Sequence, residues 1–377
     1  DLQACWSQLW RCPLARPTDG LRARAHRTAH GAGGQLAGWL CGPGGRSGPR
    51  RSGGRRGAAQ CRGAVLRRAG GAEGLGSHHP PHDRQRPAQE SRAAAAAVRE
   101  AHRLGADCAI AVGGGSTTGL GKAMALESGL PILAIPTTYA GSEMTPIYGI
   151  TENGLKKTGR DPRVLPRTVI YDPNLSLSLP VGLSVTSAMN AIAHAAEGLY
   201  AKDGNPVMDL MAEEGIRALA SAIPLIKANP VDLNARSEAL YGAWLCGTVL
   251  GNVGMALHHK LCHTLGGTFN LPHAEVHTVI LPHAIAFNAA AAPNAMKKIS
   301  RALGGKPAAQ GLYELSKTNG APVSLKELRM TLDDVDKAAQ IAVQNPYWNP
   351  RPIGVDSVSA LKNLLQRAWE GGSPIAS

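Results

Sequence analysis

The chain has 377 residues, enough for two domains with cores of their own, and a formal net charge of +13. Nothing in it approaches the roughly 18 consecutive apolar residues of a membrane span, and its seven cysteines form no C-x-x-C pair. These features argue against a membrane partner, a disulfide scaffold and a zinc ribbon, and make a reducing cytoplasm the expected compartment.

The charge is unevenly placed. Residues 1–95 hold 16 Arg against five acidic residues, a net of +11, which leaves +2 for the other 282 residues. Nucleic acid, the partner the total would suggest, is therefore not expected of the main body. The same 95 residues contain 17 Gly but no Ile, Lys, Phe, Tyr, Met or Asn. Codons for those six all carry A or T in their first two positions, so their joint absence is what a GC-rich gene gives when read out of frame. Residues 1–90 are read as a frameshifted or foreign, disordered segment. The alternative is a basic arm, GPGGRSGPRRSGGRRG at its centre, that binds RNA.

From residue 91 the pattern becomes regular. Ala93 to Gly105 forms an Ala-rich amphipathic helix with Gly105 as its stop. CAIAV has the short apolar run of a buried parallel strand, and GGGSTTGLGKAMAL follows it directly. Gly113, Gly114 and Gly115 let a ligand approach the backbone, and Ser116 and Thr117 present hydroxyls and N–H groups at a helix start, where a pyrophosphate binds. A second strand, LPILAIPTT, runs into YAGSEMT, so Thr137, Thr138 and Ser142 lie on a second polar turn. Two such turns at the carboxyl ends of neighbouring strands form a nucleotide crevice. ITENGLKKTGRD reads as a loop with an Asn153-Gly154 turn and the cations Lys156, Lys157 and Arg160, and RTVIYDP as a third strand ending near Asp172.

After Pro180 the period becomes helical through SVTSAMNAIAHAAEGLYA, PVMDLMAEEGIRALASAIPLIKAN and ARSEALYGAWLCGTVLGNVGMALHHKLCHTLGG. The fold class is α/β: an incomplete dinucleotide-binding domain over 91–180, then a helical catalytic domain over 181–377. Asn190 and His194 share a helix face four residues apart, His259 and His263 do the same, and His273 follows just past Pro272. Such spacing serves metal ligands and acid–base groups equally well.

GGGSTTGLGK, PTTYAGSE, NAIAHAAEGLY and HHKLCHTLGGTFNLPH, in this order, resemble the iron-containing alcohol dehydrogenase family. The wording of ENGLKKTGRD and of the long histidine segment is similar to its maleylacetate-reducing branch. The resemblance runs from about residue 90 to the C-terminus. It implies a two-domain fold with the active site in the cleft, NADH or NADPH at the two turns, and a homodimer. The reaction it implies is reduction of the carbon–carbon double bond of maleylacetate to 3-oxoadipate in aromatic compound breakdown.

In metal-dependent members the ion is held by an Asp four residues before a His and by two His fourteen apart. The matching positions are Asn190, His194, His259 and His273. Because Asn190 is neutral, the resemblance implies a site that works without a metal. Gly119 likewise stands where the family has an acidic residue, and nothing upstream of residue 90 matches the family's first β-α unit. On this reading His263 and His273 serve the enolate by hydrogen bonding and proton delivery, His259 and His194 shape the pocket, and Tyr347 closes over it. Lys157, Lys260 and Arg351 are the candidate cations for a dicarboxylate substrate. The alternatives are a metal-dependent alcohol dehydrogenase and a truncated, inactive relative with a nucleic-acid-binding arm.

Overall fold

A computed structural model of the chain describes residues 36–40, 63–68, 86–152 and 155–375. Strands β1 (Leu36–Leu40) and β2 (Gly63–Arg68) fall inside the segment read as foreign; the rest of that segment before residue 86 lies outside the described residues. Helix α1 (Arg86–Arg103) covers the helix expected from the Ala run and begins seven residues earlier.

Strand β3 (Cys108–Gly113) buries Cys108, Ala109 and Ala111, and these small side chains let α2 (Gly115–Ser128) lie close across it. A Cβ on Gly121 of α2 would stand 3.4 Å from that of Ala111. Gly129 ends α2 in the left-handed conformation, φ 71°, and returns its N–H to Ala125 O at 2.9 Å. Strand β4 (Ile132–Pro136) runs parallel to β3 in a register that sets Gly113 against Pro136. The two strands therefore end at one level, and the polar turns that follow them emerge side by side.

The sheet order is β1-β2-β3-β4-β7, parallel from β2 onward with β1 antiparallel at the edge. Strand β7 is only Thr168–Val169, shorter than the strand RTVIYDP suggested. The segment read as a loop with a turn signal is a hairpin, β5 (Ile147–Glu152) against β6 (Leu155–Arg160). The Asn153-Gly154 turn signal itself lies outside the described residues.

The remainder is helical. Helix α3 (Val181–Gly198) is buried from Ser184 to Gly198, which its run of alanines permits by letting α4 (Pro206–Ala228) and α5 (Leu233–Asn252) approach from different sides. The third apolar stretch is two helices: α5 gives way at Val253 to Ala256, and α6 (Leu257–Phe269) leaves at 94°. That bend turns the start of α6 toward α3. Helix α7 (His273–Asn288) packs on α3 and α6, followed by α8 (Pro293–Ala302), α9 (Ala308–Thr318), α10 (Leu332–Ala342) and α11 (Val358–Glu370). One core surrounds α3 to α5, and a second gathers α6, α7, α10 and α11. No single helix among the described residues is long and apolar enough to cross a membrane.

Candidate active site

The first turn leaves its backbone open. Gly113 has φ 152°, and any side chain there would overlap Thr117; Gly114 would press a Cβ to 2.9 Å of Thr138 Cγ2. Gly114 is also the N-cap of α2 and supplies no side-chain hydrogen bond; Thr117 N and Thr118 N donate to its carbonyl, and no side chain caps the N–H groups of Gly115 and Ser116. Ser116 is exposed at this opening, whereas Thr117 is buried beneath Gly113 and supports the turn from inside. Thr137 N donates to Gly113 O at 3.0 Å, which ties the two turns together, and Thr138 and Ser142 stand half-buried on the second.

The second turn is clamped to the helices. Tyr139 N donates to Ser187 Oγ of α3 at 2.9 Å, and the buried Arg236 of α5 donates to Tyr139 Oη at 3.0 Å. Gly141, at φ 79°, comes within 3.0 Å of Gly247 Cα, measured from where its Cβ would be. Lys122 of α2 donates to Thr145 O and Thr145 Oγ1, each at 2.9 Å, and to Ile147 O at 2.6 Å. Burial pushes that ammonium down to about 7, opposed by the nearby Glu143 carboxyl. Ala140 O, between these ties, lies 3.3 Å from His194 Nε2, so the cofactor turn and the histidines are in contact.

The histidines form one cluster. His194 Nδ1 is 2.8 Å from His259 Nε2, and His259 Nδ1 is 2.7 Å from Glu197 Oε2. His258 Nε2 lies 3.0 Å from His277 Nδ1, and the His277 ring is 4.3 Å from that of His273, centre to centre. His194, His258, His259 and His277 are all buried, while His263 and His273 are exposed at the edge. His263 Nδ1 is 3.0 Å from Tyr347 Oη, so the NPYWNP segment does fold against α6. Burial, and then repulsion from His273, push His259 down to about 3; burial and then the neighbouring His259 push His194 well below the usual histidine range. The inner imidazoles are therefore neutral. Burial pushes the Glu197 carboxyl up to about 7, held back by the backbone N–H groups of Ala256, His258 and His259.

Three of these residues, Glu197, His258 and His277, were not singled out from the sequence. Each carried a faint signal: Glu197 and His277 follow His194 and His273 by one helical turn, and His258 adjoins His259. Of the candidate cations, Lys260 donates to Gln344 O at 2.9 Å with its ammonium 5.9 Å from the Tyr347 ring centre, close to the site. Arg351 is elsewhere. Its guanidinium stacks on Phe287 at 4.1 Å and lines a cavity of about 230 Å³ with His283 and Arg367. Lys157 sits in β6, and its side chain lies outside the described residues.

A dinucleotide crevice joined to a cluster of imidazoles defines the class: an α/β-plus-helical oxidoreductase of the hydride-transfer kind. The chain belongs to the iron-containing alcohol dehydrogenase family. The family model for iron-containing alcohol dehydrogenase matches residues 77–173, and that for the family's C-terminal part matches residues 184–368. The chain is 67% identical over 275 residues to a maleylacetate reductase of Burkholderia cepacia, covering 73% of this chain and 77% of that one. Among solved structures, a maleylacetate reductase from Agrobacterium tumefaciens is 55% identical with a TM-score of 0.72, covering 74% of this chain and 79% of that one. An iron-containing alcohol dehydrogenase from Corynebacterium glutamicum is 45% identical, also at 0.72, over 74% and 78% of the two chains.

This membership corrects the expectation of a metal-free site, because the family is one of iron-containing enzymes. The donor set agrees with the correction. Asn190 Oδ1 is buried without a hydrogen-bond partner, and burial pushes His194, one turn along, and His259 of α6 down, toward the neutral form that binds a cation. An amide oxygen and three imidazoles, from Asn190, His194, His259 and His273, suit a divalent first-row ion even without a charged ligand. Reasoning from Asn190 alone gave too much weight to the lost charge. Among the described residues, the group of three His, Cys, Asp or Glu donors within 4.8 Å of one another is His258, Cys262 and His277. There Cys262 Sγ is 3.6 and 3.9 Å from the two ring nitrogens of His258, too evenly placed to share an ion with either lone pair, so this group packs behind the site.

Proposed function

We propose that the chain reduces the carbon–carbon double bond of maleylacetate with NADH or NADPH, giving 3-oxoadipate. The observation that carries the reading is the 67% identity to a maleylacetate reductase along a stretch that includes both turns and the histidine cluster. The geometry agrees with the chemistry. A dinucleotide on the Gly113–Ser116 and Thr137–Ser142 turns brings its nicotinamide toward Ala140 and His194, against the cluster.

Hydride passes from the nicotinamide to the carbon β to the ketone. The electron pair of the double bond moves onto the ketone oxygen as an enolate, and a proton then enters at the α carbon. A divalent ion held by Asn190, His194, His259 and His273 supplies Lewis acidity for that oxygen when bound. The proton-bearing groups at the rim are His263 and Tyr347, in contact at 3.0 Å and open to solvent for resupply. His273, exposed at the start of α7, hydrogen-bonds the substrate. Lys260 attracts one substrate carboxylate.

We also read the protein as a cytoplasmic homodimer with no nucleic acid or membrane as partner. Exposed apolar side chains on and just after α4, Val207, Leu210, Leu225 and Val231, support a self-contact there. The test of the function is steady-state oxidation of NADH and of NADPH with maleylacetate, beside oxidation of simple alcohols. Turnover of maleylacetate with His263→Ala slowed by about 100-fold, from loss of an acid–base group, is the expected result. Turnover of alcohols alone would replace this reading with that of an alcohol dehydrogenase.

A further inference from the structure

The start of α6 has no cap of its own, because Ala256 at the N-cap offers no side-chain acceptor. Glu197 reaches across from α3 to take that place. Its Oε2 accepts from Ala256 N at 2.8 Å and His259 N at 3.4 Å, and its Oε1 accepts from His258 N at 2.7 Å. The fourth nitrogen on this carboxylate is His259 Nδ1, at 2.7 Å from Oε2. Glu197 is fully buried, so each of these bonds forms away from water. Its position suits the task, since it lies one turn beyond His194 on the same face of α3.

We propose that Glu197 is a positioning residue that fixes the tautomer of His259. With both oxygens engaged by backbone N–H groups, the carboxylate accepts from the imidazole, so the proton sits on Nδ1 and the Nε2 lone pair faces His194 and the site. An imidazole binds a cation only through a nitrogen without a proton, and a carboxylate behind it fixes ring orientation and raises its basicity. One group thus caps α6 and keeps His259 in the form that serves as ligand or hydrogen-bond acceptor. The inference is independent of which substrate the enzyme takes.

The test needs neither substrate nor dinucleotide. Long-range ¹⁵N–¹H correlation spectra of metal-free, ¹⁵N-labelled protein at mildly alkaline pH, where Glu197 is ionised, report which nitrogen of each histidine carries the proton, with His259 assigned by loss of its signals in His259→Gln. The expected result is a proton on Nδ1 in the unaltered protein. In Glu197→Leu no acceptor faces Nδ1, so the proton moves to Nε2, where His194 Nδ1 accepts it. Calorimetric titration with Co²⁺ should then show affinity about 10- to 100-fold lower in that variant. A proton on Nε2 in the unaltered protein would overturn the proposal without recourse to any variant. So would a Glu197→Leu protein that is less stable but keeps the Nδ1–H form and its Co²⁺ affinity, for that would leave Glu197 a helix cap only.

Discussion

Replacing Arg236 with Met tests how the second turn is held. This guanidinium is fully buried and donates to four uncharged oxygens: Pro230 O at 3.0 Å, Tyr139 Oη at 3.0 Å, Ser184 Oγ at 2.7 Å and Leu179 O at 3.0 Å. It therefore joins α5, the start of α3, the strand-to-helix linker and the cofactor turn at one point. Met fills much of the volume and leaves the acceptors behind. The two carbonyls are only partly buried and recover water, whereas the bonds to the Tyr139 and Ser184 hydroxyls are fully buried. Each orphaned buried acceptor costs about 1–3 kcal/mol, so the variant should lose about 2–6 kcal/mol, a large part of the roughly 5–15 kcal/mol a domain has. Urea unfolding followed by circular dichroism measures the loss. Weaker NADH binding should accompany it, because Tyr139 adjoins Ala140. A loss of no more than about 0.5 kcal/mol, the size of an ordinary surface substitution, would mean that the guanidinium does not hold the turn.

Two further outcomes follow from the same geometry. His283 is pushed down to about 4 by burial and then by the Arg367 charge, from an ordinary value of 6.5, so the unfolded chain binds more protons between those values. Its contribution to stability is complete above about pH 6.5 and is lost as pH falls toward 4; the slope of unfolding free energy against pH in that window should drop by about one proton in His283→Gln, and an unchanged slope would contradict the assignment. Asn190→Asp places an anionic oxygen beside neutral imidazoles and should raise Co²⁺ affinity about tenfold or more. Equal affinities in a calorimetric titration would mean that residue 190 is not among the ligands.

Local rules made the nucleotide half legible. A buried strand of small side chains followed by Gly113–Gly115 admits few structures besides a strand, tight turn and helix. The four-residue spacings placed Asn190 with His194 and His259 with His263 on common helix faces. Spacing could not show that α5 and α6 meet at 94°, because a bend at Val253–Ala256 depends on what α6 packs against. That bend brings Glu197 to the head of α6, across some sixty residues of sequence, and no local pattern announces it. Arg351 illustrates the opposite error. Four residues after Tyr347, it carries the charge a dicarboxylate would attract, yet its guanidinium lies on Phe287. The metal expectation failed for a chemical reason: replacing the one anionic ligand of four by a neutral amide weakens a site without abolishing its fit.

Conjugate reduction is decided by the carbon at which the transferred hydride ends. Maleylacetate reduced with NADH carrying deuterium at the transferring position of the nicotinamide should give 3-oxoadipate labelled at the carbon β to the ketone, read by ¹³C and ²H NMR. Deuterium on the former carbonyl carbon, in an alcohol product that keeps its double bond, would show a carbonyl reductase and contradict the account.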